Sequence, residues 1–129
     1  MIAFDTNLLV RLAVNDNIEQ ATIAEVLLNE HEVFVSRTVL LETEWVLRSV
    51  YKQLRGNIAA FFEQALNTTN LYIEDAAQVK LALEWYQLGA DFADAIHLCI
   101  CQQYEFHTFD EAFCKRADQL GITPKIKRL

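Results

Sequence analysis

The chain has 129 residues, 53% of them hydrophobic and 22% charged. That balance excludes a disordered or fibrous protein and fits one domain, which at this size buries roughly 68% of its unfolded surface without disulfide staples. The net charge of −7 has the wrong sign for a generic phosphate-binding surface, and no apolar run approaches the ~18 residues of a membrane helix.

The first stretch, Ile2-Ala3-Phe4 followed by Asp5-Thr6-Asn7 and Leu8-Leu9-Val10, reads as a short buried strand ending in a turn. Asp5 then stands at the strand's carboxyl end, the edge where open α/β sheets bind ligands. Asp5 or Thr6 can equally serve as a cap for the helical turn that follows. A helix is expected from Asn17 to Glu30, then a β-prone run Val33-Phe34-Val35 ended by Ser36. Further helices are expected from about Thr38 to Leu54 and from about Asn57 to Leu66. Asn67 to Asn70 is a turn cluster, and Leu71-Tyr72-Ile73 a third strand. Glu74-Asp75 begins a helix to about Leu88, stopped by Gly89, and another runs from Asp91 to Tyr104. Phe106 to Phe109 is a strand, Glu111 to Leu120 a helix stopped by Gly121, and the tail offers an edge strand. Strands alternating with helices predict an α/β fold, a small central parallel β-sheet flanked by helices on both faces. Residues 1–129 are read as a single domain.

Four acids stand where acids are unexpected. Phe92 to Cys101 is apolar nearly all round, as in a helix buried on most sides. Asp94 and His97 interrupt it on one face, and an ionised carboxylate in such surroundings needs a partner or a metal. Asp91 can cap the helix, with Asp94 at the third following position, or serve as a ligand. Glu44 has Arg48 at i+4, a surface ion pair, whereas Glu42, beside Val39, Trp45 and Val46, is expected to project from an apolar face. Asp110 follows a strand and precedes a helix, as Asp5 does. Asp5 and Asp110 converge if their strands are adjacent. Carboxylates that converge repel one another, and oxygen-only ligation suits Mg²⁺ or Mn²⁺ and phosphoryl chemistry.

Other chemistries are weakly supported. His97 and Cys101 lack a third and fourth soft ligand for zinc, and His97 by itself fits a hydrogen-bonded core histidine. No Gly-rich phosphate loop or Gly-x-Ser-x-Gly elbow is present. A receiver-like signalling domain needs a strand-terminal Asp in mid-chain, which residues 50–60 do not offer. Cys99, Cys101 and Cys114, without a Cys-x-x-Cys, read as free thiols of a reducing cytosol. With no secretory signal recognisable, a cytoplasmic protein is expected. Arg48, Lys52 and Arg55 at i, i+4, i+7 form one basic helix face, and Lys115, Arg116, Lys125, Lys127 and Arg128 crowd the tail. Both are solvated clusters or contacts for phosphate. The apolar residues Leu81, Trp85 and Leu88, opposite Val79, Leu83 and Tyr86, exceed the needs of one core and point to a dimer or partner contact.

Asp5-Thr6-Asn7 after a short strand, Ser36 through Glu42, Asp91-Phe92-Ala93-Asp94-Ala95-Ile96-His97, and Thr108-Phe109-Asp110 together resemble a PIN domain. Within that family the chain is similar to the small VapC toxins of bacterial toxin–antitoxin pairs. The resemblance implies a Mg²⁺- or Mn²⁺-dependent endoribonuclease whose metal ligands are Asp5, Glu42, Asp94 and Asp110, with Asp91 accessory. It places Thr6, Asn7 and Thr108 as residues that orient the acids. It also implies a homodimer, an RNA substrate, and a VapB-like antitoxin. Arg48, Lys52, Arg55 or the basic tail would then hold flanking phosphates. The alternative is a PIN-like module that binds RNA or protein without cutting.

Overall fold

The computed structural model describes residues 1–122 and 125–129. These form two compact units, residues 1–76 and 77–129.

The first unit holds β1 (Ile2–Ala3), α1 (Thr6–Ala13), α2 (Ile18–Glu30), β2 (Val33–Val35), α3 (Arg37–Ser49), α4 (Arg55–Leu66) and β3 (Leu71–Ile73). Its strands pair in parallel in the order β1-β2-β3, with Ala3 opposite Phe34 and Val35 opposite Ile73. Val33 and Val35 are fully buried, as expected for the central strand of a parallel sheet. Two of these helix starts are capped by side chains that the sequence singled out. Asn17 caps α2 through a 3.0 Å bond from the Gln20 N–H, and the Ser36 hydroxyl caps α3 by accepting from the Val39 N–H. α1 packs on α2 and α3, and α4 on α3 and β3.

α3 is shorter than its apolar pattern suggests. It ends at Ser49, because Lys52 turns the chain with a φ of 55° before α4 begins at Arg55. Arg48, Lys52 and Arg55 therefore do not share one helix face. Arg48 lies on α3, Lys52 in the connection, and Arg55 at the first position of α4. Asp75 also has a positive φ, 51°, so Glu74 and Asp75 sit in the turn after β3 and not in the following helix.

The second unit holds α5 (Ala76–Gln87, from the junction), α6 (Phe92–Ile100), β4 (Phe106–Thr108), α7 (Glu111–Leu120) and β5 (Ile126–Arg128). β4 and β5 pair in parallel, so the tail does add a strand. Within their units, β1 is hydrogen-bonded to β2 and β4 to β5. Gly121, at φ 65°, takes the left-handed position that ends α7. α6 stops at Ile100, four residues short of Tyr104, because Gln102 to Glu105 are polar or exposed and have no face to bury. On α5, Val79, Leu83, Trp85 and Tyr86 are all buried within the single chain. Tyr86 meets the Phe92 ring edge-on at 5.2 Å. Of the apolar residues expected to be in surplus here, Leu81 is half-buried and Leu88, just past the end of α5, is 64% exposed. Among the described residues no helix is long and apolar enough to cross a membrane.

Candidate active site

In the first unit the parallel register sets one row at the carboxyl edge of the sheet. Extending the pairing beyond Ala3–Phe34 and Val35–Ile73 aligns Asp5, Ser36 and Glu74. Asp5 is the N-cap of α1, its Oδ1 accepting the Thr6 N–H at 2.7 Å. Thr6 is buried, and its hydroxyl donates to Oε1 of Glu42, linking the start of α1 to the middle of α3. Thr6 thus contacts both Asp5, through its N–H, and Glu42, through its hydroxyl. Asn7 instead faces outward at a cleft of about 350 Å³ that it lines with Leu8, Arg11, Gln20 and Ile23.

The environments expected for the two glutamates are exchanged. Glu42 is exposed, with Val39 and Val46 only half-buried and Trp45 54% exposed. Glu44 is the buried one, on the stripe Leu40, Thr43, Glu44, Leu47, and pairs with the Arg48 Nε at 2.9 Å. A helix face carrying Thr43 and Glu44 is the inward face, which hydrophobicity alone would assign outward.

In the second unit Asp91 caps α6, Oδ1 accepting the Asp94 N–H at 3.0 Å, and Asp110 caps α7, Oδ1 accepting the Phe113 N–H at 2.9 Å. The Thr108 hydroxyl accepts the Asp110 N–H at 3.0 Å and so fixes the turn that carries this acid. Asp94 is half-buried in the first turn of α6. Burial pushes its carboxyl above the usual carboxylate range. The charges of Asp91 and Asp110 push it further, while those of His97 and Arg116 oppose the shift. Asp94 thus feels the charges of both capping acids of this unit. His97 is exposed, so the reading of it as a core histidine is corrected. It lies opposite the buried Ala95, Ile96, Leu98 and Cys99.

Compared with known families, residues 2–119 match the PIN domain. The chain belongs to the PIN domain family. This is a family of nucleases that typically use divalent metals, and the mixed α/β fold with its parallel sheet agrees with it. No curated protein and no solved structure matches the chain.

Carboxylate oxygens are the donors that a hard divalent cation prefers. Asp5, Asp91 and Asp110 each spend Oδ1 on a backbone N–H, and the other carboxylate oxygen accepts no hydrogen bond among the described residues. Asp94 lies close enough to Asp91 and Asp110 for their charges to disfavour its ionised form, a penalty that a cation would remove. Among the described residues no three His, Cys, Asp or Glu side chains close into a metal-holding group.

Two arginines in this setting were not legible from the sequence. Arg37 is held by Glu74 (Nε to Oε1, 3.2 Å) and Asp75 (3.3 Å), at the same sheet edge as Asp5. A cation in the first turn of a helix opposes the macrodipole, and that mismatch was the available signal. Arg116 was read as part of a basic tail, but its field reaches Asp94.

Proposed function

We propose that this PIN domain is a Mg²⁺- or Mn²⁺-dependent endoribonuclease of the VapC-toxin kind. Asp5, Glu42, Asp94 and Asp110 would hold the metal, with Asp91 accessory. A bound divalent ion would supply an activated water and offset the charge that develops on the scissile phosphate. The chain's own residues prepare that site. The Thr6 hydroxyl fixes one oxygen of Glu42, and Thr108 fixes the backbone of Asp110. The caps at Asp5 and Asp110 aim each carboxylate at a strand-to-helix turn. Arg48 on α3, Lys52 in the α3–α4 connection and Arg55 at the first position of α4 are candidate contacts for flanking RNA phosphates.

The observation that carries the reading, beyond family membership, is the Asp94 carboxyl. It is half-buried in the first turn of α6, directly after the Asp91 cap, and among the described residues it forms no ion pair, while burial and the charges of Asp91 and Asp110 push it upward. A structural acid would be expected to have a partner. A homodimer and a VapB-like antitoxin belong to the same proposal. Ile18 (78% exposed), Ile23 (52%) and Val26 (45%) on α2 leave apolar surface for a protein contact. The test is cleavage of total cellular RNA by the purified protein in Mg²⁺, Mn²⁺ and EDTA, with end-mapping, for the wild type and Asp94→Asn. Metal-dependent cuts by the wild type alone are expected. A wild type without metal-dependent cleavage overturns the proposal.

A further inference from the structure

Arg116 lies on the exposed side of α7, next to Ala117, whose buried side chain seats that helix. Its Nη1 donates to the carbonyl of Gly89 at 2.6 Å. Gly89, at φ 112°, belongs to the turn that leads into Asp91 and the start of α6. The guanidinium is thereby tethered beside the helix end that presents Asp91 and Asp94. Its tether differs from those of its counterparts: Arg11, Arg37, Arg48 and Arg128 each pair with a carboxylate. Among the described residues Arg116 pairs with none, and its one hydrogen bond goes to a neutral carbonyl. It therefore has donors to spare, while its position is fixed.

We propose that Arg116 is a substrate-binding residue that holds a phosphate oxygen of the RNA backbone beside the acids of the second unit. This rests on the nuclease reading. An acidic protein repels a polyanion most strongly where its carboxylates gather, and an unneutralised guanidinium at that place offsets the repulsion for a phosphate. The planar fork fits two phosphate oxygens, which a Lys ammonium cannot match. The other role open to Arg116 is to tie α7 to the Gly89 turn, and that role makes no use of its charge.

The experiment compares wild type, Arg116→Ala, Arg116→Gln and Arg116→Lys in Mg²⁺ on an end-labelled RNA oligonucleotide spanning a mapped cleavage site. For Arg116→Ala and Arg116→Gln, kcat/KM should fall roughly 10- to 100-fold, as for a lost charge-assisted hydrogen bond. The slope of log kcat/KM against log salt should become shallower by about 0.7, one phosphate contact on a single strand. Arg116→Lys should keep the wild-type slope and recover part of the rate. If Arg116→Ala fails to fold, Arg116→Gln, which retains a polar donor for Gly89, carries the same reading. Wild-type slope and rate in Arg116→Gln would make Arg116 a structural tie and overturn the inference, leaving the nuclease reading intact. A wild type that cuts no RNA in Mg²⁺ or Mn²⁺ would remove the nuclease reading, and this inference with it.

Discussion

Glu42 and Glu44 lie two residues apart on α3, and the structure predicts opposite consequences for the same substitution. Glu44→Gln removes a charge whose side chain is 6% exposed and whose partner, Arg48, is 49% exposed. A hydrogen bond to a charged group is worth about 1.5–3 kcal/mol. The half-open Arg48 can regain water, so the cost settles near ~2 kcal/mol, between the surface and buried limits. The unfolding entropy of a chain of 129 residues is about 0.27 kcal/mol per kelvin, so Tm should fall by about 7 °C. Glu42→Gln is the reverse case. Glu42 is exposed, and a Gln oxygen still accepts from the Thr6 hydroxyl. Its stability should therefore stay within about 0.5 kcal/mol, or ~2 °C.

Cleavage should sort the two the other way. Measured at 25 °C, well below either Tm, Glu44→Gln should cut RNA within a few-fold of wild type. Glu42→Gln should lose at least ~100-fold, because a neutral amide is a poor ligand for a hard cation. Melting curves and initial rates from the same preparations decide the matter. Equal losses of cleavage, or a Glu42→Gln that melts lower than Glu44→Gln, would refute the division of roles.

Asp94→Asn tests the repulsion among the acids through pH. A carboxyl raised in the folded state favours folding below the ordinary Asp value of about 3.9, and that contribution disappears as pH rises through the folded value. In EDTA the Asn variant should therefore gain on wild type as pH climbs from about 4 and be the more stable at pH 8, while losing most of the Tm rise given by Mg²⁺; a less stable variant at pH 8 would make Asp94 a structural acid. At Asp110, Asn caps nearly as well as Asp, whereas Ala forfeits about 1 kcal/mol, or ~4 °C here. Both variants should lose metal-dependent cleavage, and an active Asp110→Asn would reduce that residue to a cap. Burial, and secondarily Glu84, push the Cys99 thiol up to about 12. At pH 8 a disulfide reagent should thus reach Cys101 and Cys114, both half-buried, well before Cys99; three equally fast thiols in the folded protein would contradict its burial.

The parts of the fold legible in the sequence were those with a local chemical signal. Ser36 and Asn17 cap, Gly121 ends α7 in a left-handed conformation, and the short apolar run Val33–Val35 is a strand with the expected bounds. The end of α3 carried no such signal. Val50 and Leu54 continue an apolar pattern, yet they are 59% and 73% exposed, and Lys52 gives no warning of its positive φ. The glutamates were misplaced for a related reason. The inward stripe of α3 includes Thr43, wholly buried with its hydroxyl donating to the Val39 carbonyl, and Glu44 beside it. Polar groups satisfied inside the fold look like surface to any measure of hydrophobicity. Arg116 was illegible because its surroundings, the Gly89 carbonyl and the α6 terminus, come from residues more than 20 positions earlier in the chain.

The acids at strand ends raise a different matter, for capping and metal binding seemed to compete for Asp5, Asp91 and Asp110. In the structure all three cap, each through Oδ1. A carboxylate has two oxygens, and one backbone N–H occupies a fraction of its accepting capacity. The cap fixes the side chain at the turn between strand or loop and helix, and the helix N-terminus favours its negative charge. Both effects suit a ligand, which has to be positioned and ionised before the cation arrives. Asp94 is held differently, inside the first turn, where burial and its neighbours oppose ionisation. In the second unit, two capping acids, Asp91 and Asp110, lie near one that resists charge, and a cation bound there would be favoured most at the resisting member. Finding a cap at such a position therefore leaves the case for a ligand undiminished, and the two roles separate only when the charge is removed with the cap left in place.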